Sequence, residues 1–86
     1  MLYVEGRLGH AASAELETTV LHHAQAAPAN VIIDLAGVDY LSSAALRVLE
    51  ALAVRLSDEG RRLRLRGPSV AARLALELSG LQALVE

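Results

Sequence analysis

The stretch Val31-Ile32-Ile33-Asp34-Leu35-Ala36-Gly37-Val38-Asp39-Tyr40-Leu41-Ser42-Ser43-Ala44-Ala45-Leu46-Arg47-Val48-Leu49 decides the fold. Its first five residues are β-branched and apolar apart from one aspartate and one leucine. A short run of that kind reads as a strand covered on both faces, as in a parallel sheet. Gly37 is expected to end the strand, and Val38 to Leu41 to connect it to a helix. From Ser43 to Asp58 the period changes from two to 3.6. Leu46, Leu49, Ala53 and Leu56 then form one stripe, flanked by Ala45, Val48 and Leu52, with Arg47, Glu50 and Arg55 on the wetter side. Glu59-Gly60 closes this helix, since a glycine just past the last turn takes the left-handed conformation without penalty.

The same alternation continues on both sides. Upstream, Met1 to Val4 can start a strand, which Gly6 and Gly9 punctuate. Ala11 to Gln25 is helical, with Leu16, Val20 and Ala24 four apart on one face and Leu21 widening it. Glu15 and Glu17 sit early and His22 and His23 late, a polarity that suits the helix dipole. Pro28 is expected to stop this helix. Downstream, Arg62-Leu63-Arg64-Leu65-Arg66 alternates cleanly, with leucines on one face of a strand and arginines on the other. Gly67-Pro68-Ser69 is a turn whose serine can cap a third helix, Val70 to Leu78, with Val70, Leu74 and Leu78 in register. Gly80 terminates it, and Leu81 to Val85 is a short apolar strand or turn. The order strand–helix three times over implies an α/β fold with a largely parallel small sheet and helices packed on it.

With 86 residues the chain has room for one domain, residues 1–86, and one core. Apolar residues make up 53% of it, but Tyr3 and Tyr40 are the only aromatics, so the core must be built from Leu, Val, Ile and Ala. So small a core is marginal alone, and a partner or second copy would support it. The net charge of −2 gives no broad attraction to nucleic acid. Without cysteine there is no disulfide, no thiolate metal site and no thiol nucleophile. Glu5 and Arg7 interrupt the N-terminal apolar residues before a signal-peptide core could form. No stretch reaches the roughly 18–20 apolar residues of a membrane span. The expected location is therefore the cytoplasm, with no membrane insertion.

Catalytic chemistry finds little footing. His22 and His23 are adjacent on a helix and point about 100° apart, a poor geometry for one metal. His10 lies in a loop, and no second ligand pair stands at metal spacing. The glycine patterns that cradle phosphates are absent, as is a nucleophile elbow. Asp34 and Asp39 flank a strand end, where α/β proteins place function, yet Asp34 can equally bond nearby backbone. No metal, cofactor or catalytic residue is expected. The most informative spot is Ser42-Ser43 at the start of the second helix. Unpaired N–H groups and the positive dipole end would favour a phosphate there, although one serine can serve only as the N-cap.

Together these pieces resemble the STAS domain family, of the anti-sigma-factor-antagonist type. Val31 to Leu49 resembles its signature strand, turn and Asp-Ser-Ser-Gly-Leu helix start. Val4-Glu5-Gly6-Arg7-Leu8 looks like the family's second strand and its exit, while Gly67-Pro68-Ser69 and Leu78-Ser79-Gly80-Leu81 bracket what looks like its last helix. The resemblance implies a mixed sheet and a regulatory protein–protein interaction module, not an enzyme. Its partner would be a serine-kinase-type anti-sigma factor, and serine phosphorylation would control the docking. It also implies an alternative, a non-catalytic subunit clamped to a phospholipid-transport ATPase.

Two departures stand out. The usual acceptor position is Ala44, the motif glycine is Ala45 and the motif aspartate is Ser42. The phosphoacceptor candidates are therefore Ser43 and, less directly, Ser42, and Ser43-Ala44 partly fits the transport subunits. Ala45 would add a methyl where a partner would approach closely. The family's usual first strand is missing, which is expected to expose a sheet edge or face and invite a homodimer. The expected partner-binding residues are Asp39, Tyr40, Ser42, Ser43, Ala44 and Arg47. The Arg62, Arg64 and Arg66 row is read as a solvated sheet face that an acidic partner or anionic lipid could also use.

Overall fold

A computed structural model describes residues 1–26 and 29–86. Strand β1 (Leu2–Leu8), helix α1 (His10–Ala26), strand β2 (Val31–Leu41), helix α2 (Ser43–Asp58), strand β3 (Leu63–Arg66) and helix α3 (Val70–Leu78) follow one another, with a 3-10 turn at Gln82–Leu84. The strands pair in parallel in the order β1-β2-β3, and Val85 adds a single parallel bridge to Leu65. The α/β class and the parallel sheet expected from the alternating periods are therefore present. The residue expected to stop α1, Pro28, lies outside the described residues.

The alternation of each strand sorts residues between two unlike faces. Val31, Ile33, Leu35, Leu63 and Leu65 are buried under the helices, where they join Leu16, Val20, Leu49, Leu52, Leu56 and Leu76 in one core. On the other face Tyr3, Glu5, Arg7 and Arg66 are exposed, while Ile32, Asp34 and Arg64 are half-buried. One face thus carries the hydrophobic stabilisation and the other stays polar and open.

Strand β2 is longer than its apolar run. Gly37 does not end it, and Val38 to Leu41 are strand, not connection. The register explains this. Between the pairs Tyr3↔Asp34 and Glu5↔Gly37, β2 has one residue more than β1, and again between Gly6↔Val38 and Arg7↔Tyr40. Each extra residue resets the phase, so the inward positions run Leu35, Val38, Leu41, three apart instead of two. Glycine at position 37 allows the close approach of β1, since a Cβ there would lie 2.9 Å from the Glu5 Cβ. The Asp34 carboxylate accepts the Ala36 N–H at 2.9 Å beside the first irregularity.

The helices depart from expectation in three further ways. His10 is the first residue of α1 and not part of a loop, and its carbonyl accepts the Ser13 hydroxyl. Glu15 and Glu17 consequently lie beyond the first turn, where the dipole effect fades. On α2 the buried stripe is Ala45, Leu49, Leu52 and Leu56, with Leu46, Val48 and Ala53 packed at its margin. On α3, Val70, Leu74 and Leu78 share a face as expected, but it is the outer face: they are 88%, 56% and 82% exposed. Ala72 and Leu76 are fully buried instead. The small Ala72 lets the helix lie close to β2, and the Ser69 hydroxyl, donated to the Val38 carbonyl, pins its start there.

Candidate functional site: the start of the second helix

The end of β2 and the start of α2 are held by a serine with no freedom left. Ser42 sits in extended backbone (φ −73°, ψ 166°) and its hydroxyl accepts the Ala45 N–H at 3.1 Å. Its own N–H donates to the Leu8 carbonyl at 2.9 Å, and its carbonyl accepts from Leu46 at 3.0 Å. It is only 9% exposed. Ser42 therefore joins the end of β1 to the first turn of α2 through its N–H, its carbonyl and its hydroxyl oxygen.

Ser43, one residue on, is exposed. As the first helical residue it keeps its N–H free of any intrahelical acceptor, and so does Ala44. The two adjacent serines therefore differ in kind: one is internal structure, the other offers a hydroxyl at the positive end of a helix. Ala44 is half-buried, and Arg47 is exposed one turn further along the Ser43 face. Ala45 is fully buried, so its methyl packs into the core and does not stand where a partner would approach. The helical backbone also never needs a positive φ there, and among the described residues only glycines have one.

Tyr40 lies on strand β2 with 39% of its surface exposed. The Arg7 guanidinium stands over its ring, 4.2 Å from the centroid. Such a cation–π contact contributes about 0.5–1 kcal/mol at an exposed site and biases the ring toward this orientation. Asp39 is exposed beside it. Of the expected partner-binding set, Asp39, Tyr40, Ser43 and Arg47 reach the surface at this end of the sheet, Ala44 does so in part, and Ser42 lies beneath it. Arg7 is the member the sequence does not reveal. It reaches Tyr40 only through the pairing Arg7↔Tyr40, which depends on the two irregularities in β2.

Elsewhere, His22 is exposed and His23 half-buried on α1, and among the described residues no group of three or more His, Asp or Glu could hold a metal ion. No described helix is long and apolar enough to cross a membrane. Of the arginine row, Arg66 is bound to Glu86 at 2.9 Å, a charge-assisted bond that holds its guanidinium more firmly protonated than usual.

A parallel three-stranded sheet covered on one face, with a serine-capped helix start at its carboxyl end, defines a small α/β domain. A family model described as "Mlab, STAS domain" matches residues 1–86, the whole chain, and the protein belongs to the STAS domain family. No curated protein matches it.

Proposed function

We propose that this STAS domain is a non-catalytic regulatory module that docks on a partner protein through Tyr40, Asp39, Ser43, Ala44 and Arg47, with Ser43 as its phosphorylation switch. The observation that carries the reading is the division between the two serines. Ser42 is buried with its hydroxyl committed to the Ala45 N–H, while Ser43 is exposed at the helix start. A phosphate on Ser43 would meet two unpaired N–H groups, the helix dipole and Arg47 one turn on. It would place roughly −1.5 to −2 charges in the middle of the contact and eject an acidic or apolar partner. Tyr40, oriented by Arg7, supplies the aromatic anchor such an interface needs.

The partner that this chemistry fits best is an anti-sigma factor that is also a serine kinase, so that the docked protein is also the one that modifies Ser43. On this reading the module acts in transcriptional control in the cytoplasm. The open edge of β1 adds a route to a homodimer by strand pairing. A second reading, a non-switching subunit of a phospholipid-transport ATPase, is favoured by Ala44 at the position where switched STAS domains carry the acceptor.

A pull-down from the source cells with the whole chain as bait separates the two. Recovery of a serine-kinase-type anti-sigma factor that phosphorylates Ser43 with ATP supports the first. Recovery of a transport ATPase, with no phosphate on Ser43, moves the module to the second.

A further inference from the structure

The far end of α2 carries a surface the docking proposal does not use. A groove of about 240 Å³ opens between the last turns of α2, the outer edge of β3 and the 3-10 turn. Ala53, Leu63, Ala83 and Leu84 supply its apolar walls, and Ser57, Arg61, Arg62 and Arg64 its polar ones. From Ser43 to Ser57 is 14 residues of helix, about 21 Å at 1.5 Å per residue, so this groove is separate from the helix start.

Among the described residues three arginines and no aspartate or glutamate line it, in a chain whose net charge is −2. Arg61 is already engaged in holding the fold. Its guanidinium donates to the Ala29 and Ala24 carbonyls at 2.8 Å and pairs with Glu59. Arg62 and Arg64 have no such role. Among the described residues neither guanidinium makes an ion pair or hydrogen bond. The edge of β3 also leaves backbone groups unpaired. Val31 donates to the Arg62 carbonyl, so Arg62 and Arg64 turn their backbone groups toward β2, and Leu63 and Leu65 turn theirs outward. The Leu65 carbonyl is taken by the Glu86 N–H at 2.9 Å. The outward groups of Leu63 have no backbone partner among the described residues, although Leu63 is only 2% exposed.

We propose that this groove is a second docking site, which takes an acidic segment of a partner protein. An apolar side chain fills the pocket beside Leu63 and Leu84, and flanking carboxylates reach Arg62 and Arg64. The volume suits one or two side chains and is below that of a typical small-ligand pocket. Charge decides between a peptide and a membrane. An acidic protein is repelled by an extended anionic surface, whereas a short acidic segment meets the two arginines without apposing the rest of the molecule.

The test is a titration of the isotope-labelled full chain with the capped peptide Glu-Leu-Glu-Leu-Glu, followed by amide chemical shifts. The expected result is saturable shifts at Ser57, Leu63, Arg64 and Leu84. Affinity should fall at least tenfold in R62E/R64E, fall with added salt, and stay unchanged in Arg47→Glu. Should the double reversal unfold the chain, R62Q/R64Q makes the same comparison. Shifts centred on Ser43, equal affinity for Gln-Leu-Gln-Leu-Gln, or insensitivity to both double variants would overturn the proposal. So would binding of phosphatidylglycerol vesicles with shifts at these residues when the peptide produces none, since that outcome assigns the arginines to a lipid surface.

Discussion

Helices α2 and α3 begin alike and end differently. Each is capped by a serine whose hydroxyl accepts the N–H three residues on, Ser42 from Ala45 and Ser69 from Ala72. Each carries an apolar stripe. On α2 the strongest stripe is the buried one, and Leu49, Leu52 and Leu56 are at most 2% exposed. On α3 the larger residues Val70, Leu74 and Leu78 face outward, and the core receives Ala72 and Leu76. Periodicity thus identifies a helix and its faces but does not say which face a sheet will claim. Where a helix must lie close to a strand, a small residue packs better than a large one.

The contrast between the two helices can be tested in order of expected effect. Leu49→Ala removes a fully buried side chain from the centre of the core and should cost about 2–5 kcal/mol in denaturant unfolding. Against a total of about 4–13 kcal/mol expected for a chain of this length, that brings the domain close to unfolding. Leu76→Ala on α3 should cost a similar amount, since it too is fully buried. If instead Leu74→Ala proves the costlier change on α3, the assignment of its two faces is wrong.

At the helix starts the effects are smaller and separate stability from binding. Ser43→Asp should weaken partner binding at least tenfold, about 1.4 kcal/mol, with the unfolding midpoint little changed. An unchanged affinity in a titration would remove Ser43 from the switch. Its neighbour should behave in the opposite way. Ser42→Ala loses the N-cap and should cost about 1 kcal/mol of folding stability. Smallest of all, Leu74→Ala or Leu78→Ser should stay within about 0.5 kcal/mol, as expected for exposed positions away from the core. A large loss of partner binding in Leu78→Ser would instead show that the outer face of α3 is covered in a complex.

Much of the molecule is legible in the order of residues. The run from Val31 to Leu35, the stripe of α2, the alternating Arg62 to Arg66 and the serine caps each carry a local signal strong enough to name the element. The turns after Glu59, Arg66 and Ser79 are marked by Gly60, Gly67 and Gly80, all with positive φ. The second half of β2 is not legible, because inward residues three apart do not look like a strand. The place of Ser43 near Tyr40 and Arg47 is readable from spacing, but its contrast with Ser42 is not. Either serine could have capped the helix, and only the structure shows that Ser42 does, its hydroxyl accepting the Ala45 N–H while its own N–H donates to the Leu8 carbonyl.

Backbone propensity and hydrophobic period act within a few residues, so the class of fold, the order of its elements and the family follow from the chain alone. Pairing between distant segments set the rest. The two irregularities that lengthen β2 exist only against β1. Arg7 meets Tyr40 only through that register. The burial of Ser42, the outward turn of Val70, Leu74 and Leu78, and the groove between Ser57 and Leu84 follow from how the helices settle on the sheet. Burial and close packing are properties of surfaces brought together in space, and no single segment carries them alone.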